Sequence, residues 1–579
     1  MNAPSIQGLR YRWKMVFSDD EVVQRLYQSG LSLSYPVLRV LASYGYASSE
    51  EIEKFLFAPV IPHLHNAQGL KDIDRAVERI QKAIIEREKI LIVGDYDVDG
   101  ITATSLVLRS LLELGALVNF FIPNRFVDGY GLSTKNVDRA AESGYRLVIT
   151  VDNGITAVEA ASRAKDVGID LIITDHHMPH DLVPEAYAIV NPRQIACSYP
   201  SKELAGVGVA YKLIARLYEA FTRALPESLY ELIVLGTIAD VVPLIGENRS
   251  LVRYALHKIR TLESPALSVL KANARIDRTI NSQDIGFFIA PQLNALGRLE
   301  DPRDGVFFLL GEDFSSVERI GKRLYELNQR RKEQERLVFD DVQKQIAHGT
   351  IALDRDLACI ATGDTWPAGV IGLAAARISQ LYGRPTFLLH RSGEYYKGSC
   401  RSVQGVDIFS LLSSVSSTLV QFGGHAAAAG LSVRADMLSH FSKAVQNELA
   451  KTHTVADLVP SIRCVAPLFL DEINGKLMRD LGLMEPFGSG NDRPLFFIEH
   501  VQLVGEPQLL KDEHVKCMIV DRGIVKPVIF FNRPELYEWL LRYKNEIFDL
   551  AAYVQENTFR GRITIDLQGV DICQHKERQ

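Results

Sequence analysis

Three aspartates stand two residues apart in the segment Asp95-Tyr-Asp97-Val-Asp99-Gly100. If the backbone is extended there, alternate side chains share one face and the three carboxylates converge. Like charges held together raise each other's pKa and oppose folding, and a bound cation removes that conflict. The segment therefore predicts a site for a hard divalent metal ion.

Further acids and two histidines follow or interrupt other apolar segments of the chain. They are Asp152 after residues 148–151, Asp175-His176-His177 after residues 171–174, and Asp240 within the apolar residues 231–243. Taken singly, each has a structural interpretation, because a lone Asp often caps a helix, a His pair often lies in a turn, and a buried acid often has a structural partner. Taken together, they favour one metal centre.

The residue types indicate which metal and which chemistry. Carboxylates with one or two imidazoles and no thiolate suit Mn²⁺ or Mg²⁺ better than structural zinc. Five acids and a histidine are too many for one ion that keeps open positions, so we expect two ions with one Asp between them. Such a pair clamps the attacking and leaving oxygens of a phosphoryl displacement and lowers the pKa of a bound water. The residues predict metal-dependent hydrolysis of a phosphoester or a phosphoanhydride.

Alternating strands and helices are predicted to position these residues. The predicted strands are 89–94, 117–122, 147–151 and 170–174, and the predicted helices are 72–87, 101–115, 134–143 and 157–167. This alternation predicts a parallel sheet with helices on both faces. Ligands of open α/β sheets lie at the carboxyl ends of the strands, so we expect the acids and histidines to meet in one crevice.

Length and composition set wider bounds. The 579 residues predict three or four domains, and 47% hydrophobic with 23% charged residues is ordinary for a soluble globular protein. The net charge of −6 argues against a uniformly basic coat but allows a local basic channel. Six scattered cysteines suit a reducing compartment, and we find neither a signal-peptide pattern nor a membrane-spanning apolar run. We expect a cytoplasmic protein with no membrane contact.

The second half of the chain carries features of a substrate-binding region. Residues 315–348 are a charged helical stretch, interpreted either as a solvated connector or as a spine between two lobes. The segments 398–402 and 423–425 are predicted to be glycine-bearing loops with a basic side chain that approach an anion, the alternative being plain tight turns. Short strands with turns from about residue 460 predict a closed β-domain of OB type. Its Phe530, Phe531 and Phe559 are interpreted as core rather than base-stacking residues.

Four segments resemble, in order, the four motifs of the DHH phosphoesterase superfamily. They are Asp95-Tyr-Asp97-Val-Asp99-Gly, Val-Asp152-Asn-Gly, Asp175-His176-His177 and Gly-Thr-Ile-Ala-Asp240. Further motifs narrow the resemblance to the bacterial RecJ family of single-stranded-DNA exonucleases; they lie at residues 206–212, 291–298, 369–372, 398–402, 423–430 and 485–491. Two positions depart from the pattern, Gln292 where a basic residue is expected and Asp492 where a proline is expected. Gln292 is expected to weaken one phosphate contact.

The resemblance implies an α/β fold with a parallel-sheet DHH domain, a smaller DHHA1-type domain across a cleft, a long joining helix and a C-terminal OB-type barrel. The resemblance covers about residue 70 to the C-terminus, and the sequence pattern of residues 1–65 predicts an N-terminal helical region. The further expected domains are a catalytic DHH domain 66–314, a connecting helix 315–350, a DHHA1-type domain 351–455 and an OB-type domain 456–579.

The resemblance also assigns roles to residues. The implied metal ligands are Asp95, Asp97, Asp99, Asp152, His176 and Asp240, with Asp152 as the bridge. Asp175 and His177 are placed at the edge of the site in catalytic roles, orienting a ligand or contacting the scissile phosphate. The implied substrate contacts, which would form a 5′-phosphate pocket, are Arg125, Arg298, Ser399, Arg401 and His425.

The implied activity is a processive 5′→3′ exonuclease that uses two Mn²⁺ or Mg²⁺ ions, releases 5′-mononucleotides from single-stranded DNA and acts in recombination and repair. The implied protein is a monomer, with a single-strand-binding protein and a helicase as further partners. Two alternatives stay open. One is a phosphoesterase of small substrates such as cyclic dinucleotides; the other is a non-catalytic scaffold that keeps the fold without the site.

Overall fold

The computed structural model describes residues 5–57, 64–124, 131–311, 313–559 and 562–575. The chain divides into two compact units. Unit 1 comprises Met1–Ala58, Glu333–Met484 and Arg493–Gln579, and unit 2 comprises Pro59–Lys332 and Glu485–Asp492. One short segment of the C-terminal half therefore belongs to the unit that contains the predicted metal ligands.

The N-terminal residues of unit 1 begin with strands rather than helices. The elements are β1 (Ser5–Gln7), β2 (Arg12–Met15), α1 (Asp20–Gln28), α2 (Tyr35–Ser43) and α3 (Ser49–Phe57). The expectation of a helical region was wrong for the strands Ser5–Gln7 and Arg12–Met15. Strand β2 pairs in parallel with the distant residues Ser461–Cys464, a partner that local sequence patterns cannot indicate.

Unit 2 begins with the predicted parallel sheet. Its elements are α4 (Ile73–Ile85), β3 (Lys89–Val93), α5 (Val98–Glu113), β4 (Leu117–Phe121), α6 (Thr134–Glu142), β5 (Leu147–Val151), α7 (Val158–Asp166), β6 (Asp170–Thr174) and β7 (Ala188–Val190). The strand order is β4-β3-β5-β6-β7, and every pairing is parallel. Ile90 and Ile92 of β3 pack in one hydrophobic cluster while Leu91 and Val93 pack in another, so both faces of the sheet are covered. The predicted α/β class is confirmed.

The rest of unit 2 is helical. It contains α8 (Gly206–Ala220), α9 (Leu229–Ala239), α10 (Gly246–Lys258), α11 (Pro265–Ala274), α12 (Ser282–Asp284), a π-helical segment (Ile285–Ile289), α13 (Ala290–Leu299) and α14 (Arg303–Leu310). The apolar segment that carries Asp240 is α9, and Asp240 is the residue at which this helix ends.

Helix α15 (Phe314–Ala347) begins in unit 2 and ends in unit 1, close to the predicted connecting helix. It leads to β8 (Cys359–Gly363), α16 (Ala368–Tyr382), β9 (Thr386–Ser392), β10 (Tyr395–Arg401), α17 (Ile408–Ser414), β11 (Gln421–His425), β12 (Ala428–Arg434) and α18 (Leu438–Ala450). The sheet order is β11-β12-β10-β9-β8. The prediction of loops at 398–402 and 423–425 was wrong, because residues 398–401 lie in β10 and residues 423–425 in β11, where glycines occupy paired strand positions.

The C-terminal part of unit 1 is the predicted OB-type barrel. Before it, β13 (Ser461–Cys464) joins β1 and β2 in a separate three-stranded sheet. The barrel sheet contains β14 (Ala466–Pro467), β15 (Phe496–Leu510), β16 (His514–Asp521), β17 (Ile524–Phe530), β18 (Phe548–Phe559) and β19 (Arg562–Gln574), and the helices of this part are α19 (Gly475–Leu483) and α20 (Glu535–Arg542). Pairing of β15 with β18 closes the barrel. Phe530 is buried as expected, whereas Phe531 is exposed, and the side chain of Phe559 is outside the described part of the chain.

Two expectations from composition can be compared with the structure. All six cysteines are buried and free of disulfide bonds. Across the ranges that the structure describes, no helix combines the length and the apolar character that crossing a bilayer requires.

A buried ion pair ties four segments of unit 2 together. Lys212 of α8 contacts Glu247 of α10 at 2.5 Å, and both side chains are almost completely buried. Lys212 also donates to the carbonyl oxygen of His65, and the hydroxyl of Tyr199 donates to Glu247 at 2.8 Å. Because every partner is satisfied, the pair fixes the position of α8 within the core.

We expect Glu247→Ala to lower the free energy of unfolding of unit 2 by about 3–5 kcal/mol, because it leaves the Lys212 ammonium buried without its counter-charge. Urea denaturation of the full chain measures the effect. The matched control is Asp138→Ala, which breaks an ion pair with Arg163 that is almost half exposed and is expected to cost about 1 kcal/mol or less. Equal losses in the two variants would contradict the structural role of the buried pair.

Candidate metal centre

The three spaced aspartates converge, but not by the route that the sequence suggested. Strand β3 ends at Val93, and Asp95 lies in the connection that follows. Asp97 is the N-cap of α5 and accepts a hydrogen bond from the Gly100 N–H at 3.0 Å, so Asp99 already lies in the first helical turn. The expectation that all three side chains line one extended face was therefore wrong. A strand-to-helix turn gathers them instead.

Asp99 is held by the N-terminus of α8. Its two carboxylate oxygens accept hydrogen bonds from the N–H groups of Gly206, at 2.6 Å, and Val207, at 2.8 Å. These N–H groups have no partner within the helix, and together with the helix dipole they favour a negative charge at this position. Gly206 also makes room for a neighbour, since a Cβ on it would lie 2.4 Å from Oδ1 of Asp152. The glycine therefore lets two acidic side chains meet at one helix end.

Asp152 occupies a strained position after β5. Its φ is +61°, a left-handed conformation that costs energy for a residue with a side chain and that recurs at functional sites. The neighbouring Asn153 fixes the turn, because its side-chain amide donates to the carbonyl oxygens of Val93 and Val151. Asn153 thus joins the ends of β3 and β5. Sequence reasoning treated it only as part of a motif.

His176 lies between the acids. Its Nε2 is 3.2 Å from Oδ1 of Asp152 and 3.6 Å from Oδ2 of Asp240. Burial lowers the pKa of His176 to about 4, so the imidazole is neutral at physiological pH. A neutral imidazole with a free ring nitrogen is the form that binds a metal ion.

Asp175 and His177 form a separate pair at the edge of the cluster. Oδ1 of Asp175 is 2.7 Å from Nδ1 of His177, and its Oδ2 accepts a hydrogen bond from the Ile155 N–H at 2.9 Å. Against the opposing effect of burial, the bond to Asp175 raises the pKa of His177 to about 9. The side chain of Asp175 therefore pairs with the ring of His177, while His176 contacts this carboxylate only through its backbone N–H.

All six predicted ligands come together with His177. Three sets have potential ligand atoms within 4.8 Å of one another: Asp152, His176 and His177; Asp99, His176 and Asp240; Asp95, Asp97 and Asp152. Asp152 and His176 each belong to two sets, so the sets adjoin. This sharing is what a centre for two ions with a bridging carboxylate requires.

The electrostatics of the cluster call for cations. Burial, followed by repulsion from neighbouring carboxylates, raises the pKa of Asp95 and Asp152 well above the ordinary value, of Asp99 to about 7 and of Asp240 to about 9. Among the described residues, buried ligand-type atoms that lack a hydrogen-bond partner include Oδ1 of Asp95, Oδ1 of Asp152, Nε2 of His176 and Oδ2 of Asp240. Buried polar atoms are otherwise nearly always satisfied. Oxygen-rich ligands with one imidazole fit Mn²⁺ or Mg²⁺.

The predicted substrate residues of unit 2 are partly described. Arg298 ends near the cluster, since its positive charge opposes the rise in the pKa of Asp97 that burial causes. Its helix, α13, is held at the aspartate turn because Oδ1 of Asn294 accepts a hydrogen bond from the Val98 N–H. Arg125 lies outside the described residues. Gln292 is buried and donates to the carbonyl oxygens of Leu270 and Phe288, so it has a role in packing rather than at a phosphate contact.

The predicted substrate residues of unit 1 share one region of its sheet. A guanidinium nitrogen of Arg401 donates to the Ser399 hydroxyl at 3.0 Å, and burial lowers the pKa of Arg401. A Cβ on Gly372 would lie within about 3 Å of both side chains, so helix α16 closes against them. His425 pairs with Ala428, which pairs with Arg401, and the two basic residues therefore lie in one row across three strands.

Sequence reasoning missed Asn191 and Arg193, which follow the short strand β7. The side-chain amide of Asn191 donates to the carbonyl oxygen of His177, and its Oδ1 accepts from the Arg193 N–H. The positive charge of Arg193 contributes to the low pKa of His176, and it opposes the rise in the pKa of Asp240 that burial causes. The sequence signal that could have indicated them is the one used for Asp152 and Asp175, namely polar residues directly after an apolar run. A strand of three residues is too short for that signal to be clear.

The fold and the site define a DHH-type phosphoesterase. The sequence model of the DHH family, N-terminal domain, matches residues 89–237, that of the DHHA1 domain matches residues 355–451, and that of the RecJ OB domain matches residues 466–571.

Within that class, this chain belongs to the RecJ family. It is 34% identical over 562 residues to the single-stranded-DNA-specific exonuclease RecJ of Escherichia coli (strain K12), covering 92% of this chain and 95% of that protein. It is 33% identical over 536 residues to the protein of the same name from Bacillus subtilis (strain 168), covering 92% of this chain and 67% of that protein. The crystal structure of RecJ in complex with Mn²⁺ from Thermus thermophilus is similar with a TM-score of 0.81 and 26% identity, over 97% of this chain and 80% of that one.

We expect Asp152→Asn to abolish hydrolysis and to remove the stabilisation that Mn²⁺ gives. The substitution keeps the size of the side chain but removes the carboxylate shared by two ligand sets. Without metal the variant should melt at or above the wild-type temperature, because a repelled buried charge is gone. Thermal melting with and without Mn²⁺, together with a nuclease assay, measures both effects.

The control is Asp138→Asn, which changes a half-exposed acid paired with Arg163 and should leave activity and the Mn²⁺ shift intact. If Asp152→Asn kept the full Mn²⁺ shift, Asp152 would not be a ligand.

Proposed function

We propose that this chain is a single-stranded-DNA-specific exonuclease that hydrolyses phosphodiester bonds with two Mn²⁺ or Mg²⁺ ions and acts in DNA recombination and repair. The observation that supports it most strongly is the buried cluster in which Asp152 and His176 each belong to two ligand sets, in a chain of the RecJ family. The relatives named above are single-stranded-DNA-specific exonucleases, and two of the similar solved structures hold Mn²⁺ or Mg²⁺.

The chain's own residues have distinct tasks in the proposed reaction. The residues that would hold the ions are Asp95, Asp97, Asp99, Asp152, His176 and Asp240, and Asp152, which belongs to two of the ligand sets, would serve both ions. When bound, such ions lower the pKa of a water molecule and clamp the phosphate oxygens. His177, whose raised pKa keeps it protonated at neutral pH, is assigned to donate a hydrogen bond to the scissile phosphate. Asp175 holds the His177 ring in the required orientation through Nδ1.

The polarity of the reaction is assigned to a second group of residues. We propose that Ser399, Arg401, His425, Arg298 and Arg125 bind a 5′-phosphate, which makes the enzyme act 5′→3′ and release 5′-mononucleotides. The support is the hydroxyl–guanidinium contact of Ser399 with Arg401 and the basic row that includes His425. An Arg in a buried setting, where its charge is poorly solvated, gains most from a phosphate partner.

The OB-type barrel is assigned to hold the single strand. An open groove of about 520 Å³ on the barrel is lined by Lys516, Lys526, Asn557, Thr564 and one acid, Asp566, together with apolar residues. OB folds bind single strands through basic grooves and aromatic stacking. A phosphoesterase of small substrates has no use for this domain, and a scaffold has no use for buried ligand atoms without partners.

The cellular context of the protein forms part of the proposal. A cytoplasmic location accords with six free cysteines. The single-strand-binding protein, the helicase and the monomeric state stay predictions that follow from the family resemblance.

We expect wild-type protein with Mn²⁺ or Mg²⁺ to release labelled mononucleotide at once from 5′-labelled single strands and late from 3′-labelled ones, with little release from blunt duplex. Time courses on the four substrates measure this. Immediate release from the 3′ label would contradict the polarity. In a parallel assay, hydrolysis of a dinucleotide without hydrolysis of the long single strands would favour the small-substrate alternative.

We expect Arg401→Ala to raise KM for 5′-phosphorylated strands about tenfold or more, and to change KM for 5′-hydroxyl strands much less, because a charge-assisted bond to phosphate is lost. Steady-state kinetics on the two substrates measure the ratio. Arg391→Ala is the matched control, since Arg391 is an exposed arginine on the neighbouring strand β9 that contacts the Tyr396 ring. Equal changes for the two 5′ ends would remove Arg401 from the phosphate pocket.

A further inference from the structure

Two adjacent phenylalanines are exposed on unit 2. Phe287 is 73% exposed and Phe288 is 51% exposed. They lie in the π-helical segment Ile285–Ile289, whose end residues Ile285 and Ile289 are completely buried. The two buried ends anchor the segment, so both rings are presented to solvent on a fixed backbone. Single turns of π-helix of this kind are frequent at functional sites.

The π-helical segment packs beside a metal ligand. A Cβ on Gly286 would lie 3.6 Å from Cγ2 of Ile238, which puts the segment in van der Waals contact with the last turn of α9. Asp240, a member of the metal-ligand sets, ends that helix. The two exposed rings therefore belong to a segment that contacts the helix at whose end Asp240 lies.

The segment Glu485–Asp492 contacts both the start of α12 and the residues between α9 and α10. The Ser282 hydroxyl, at the start of α12, donates to the carbonyl oxygen of Phe487 at 2.7 Å, and the Leu244 N–H donates to that of Ser489 at 2.6 Å. Between Asp240 and α10, Val241 and Ile245 are also exposed, at 67% and 52%. We call Val241, Ile245, Phe287 and Phe288 the apolar surface. None of its members carries a charge or a hydrogen-bonding side chain.

The chemistry of the apolar surface selects its occupant. An uncharged aromatic surface does not bind phosphate, whereas the faces of nucleobases stack on aromatic rings regardless of sequence. An exonuclease must accept every base, so stacking suits it better than hydrogen bonding to base edges. A base in a duplex is covered by its neighbours, and a single strand can present it.

We propose that Phe287, assisted by Phe288, stacks on an unpaired base of the strand whose phosphate lies at the metal ligands. This inference rests on the proposed function and adds to it a residue that selects for single strands. The surface then acts as a positioning device: base stacking on one side of α9 holds the strand while the phosphodiester is cleaved at the ligands that include Asp240.

The test uses oligodeoxynucleotides of one sequence in which a single abasic site is moved inward from the 5′ end. With wild-type protein and Mn²⁺, we expect kcat/KM for the first cleavage to fall about fivefold to a hundredfold when the abasic site occupies the stacked position, which is the range for loss of one stacked base. Phe287→Ala should show a fall of that size on the intact strand. It should also be insensitive to the abasic site, because the variant and the lesion remove the same contact.

Matched variants separate stacking from a structural effect. Phe307→Ala is the control, since Phe307 is a 56% exposed phenylalanine of unit 2 that contacts the ring of Phe120, and it should retain the wild-type profile. Phe287→Trp should retain abasic sensitivity, whereas Phe287→Leu, which is apolar but cannot stack, should lose it. The melting temperatures of all three Phe287 variants should stay at the wild-type value because the side chain is exposed.

Three outcomes would overturn the proposal. They are a Phe287→Ala/Phe288→Ala double variant with wild-type kcat/KM, a Phe287→Ala variant that keeps full abasic sensitivity, and a Phe287→Leu variant with the wild-type profile, the last of which would point to an apolar contact with a protein partner. If the wild-type protein did not degrade the intact strand, the proposed function itself would fail. These results are distinguishable because each is read from a different protein–substrate pair.

Discussion

Repulsion between neighbouring carboxylates governs how unit 2 is built. Asp95, Asp99 and Asp152 are buried and Asp97 is partly buried; the four lie close together, and burial raises the pKa of each. Folding without compensation would leave these groups either protonated or in conflict. The surrounding elements make the arrangement tolerable only in part: the N-terminus of α8 satisfies Asp99, and the N-cap bond of α5 satisfies Asp97. The carboxylates of Asp95 and Asp152 keep buried oxygens without a hydrogen-bond partner, and bound cations would neutralise them.

The core of unit 2 explains how such a site is kept in place. The parallel sheet brings the ends of β3, β5 and β6 to one edge, and Asn153 joins two of these ends through its amide. Helix α8, which presents its N–H groups to Asp99, is fixed one to two turns later by the buried pair of Lys212 with Glu247. Rigidity at that distance matters because ligands must stay within a fraction of an ångström of productive geometry.

Much of the fold could be predicted from the sequence because its signals are local. The β-branched runs of β3, β5 and β6 and the helices between them appear as the alternation that a parallel sheet requires. The strand β2 could not be predicted, since its partner β13 is more than 400 residues away. The sequence predicts loops where β10 and β11 lie because both strands contain glycines, which are typical of turns, at paired positions.

The candidate site shows the same division. The ligand types were visible as acids and histidines after apolar runs, and the structure gathers every one that it describes. The reason given for their convergence failed at Asp99, which lies in a helix, because a helix can begin within a run of alternating residues once Asp97 caps it. Arg193 and Asn153 escaped notice because their roles are set by contacts with backbone and charge from other segments. A role for Phe287 could not be predicted because the exposure of a phenylalanine side chain is not visible in the sequence.

Anomalous scattering from Mn²⁺ in a crystal of the wild-type chain would locate the ions directly. We expect two peaks about 3.5–4 Å apart, with Asp152 between them, His176 and Asp240 on one ion and Asp95 and Asp97 on the other. A single peak, or peaks away from these side chains, would contradict this arrangement.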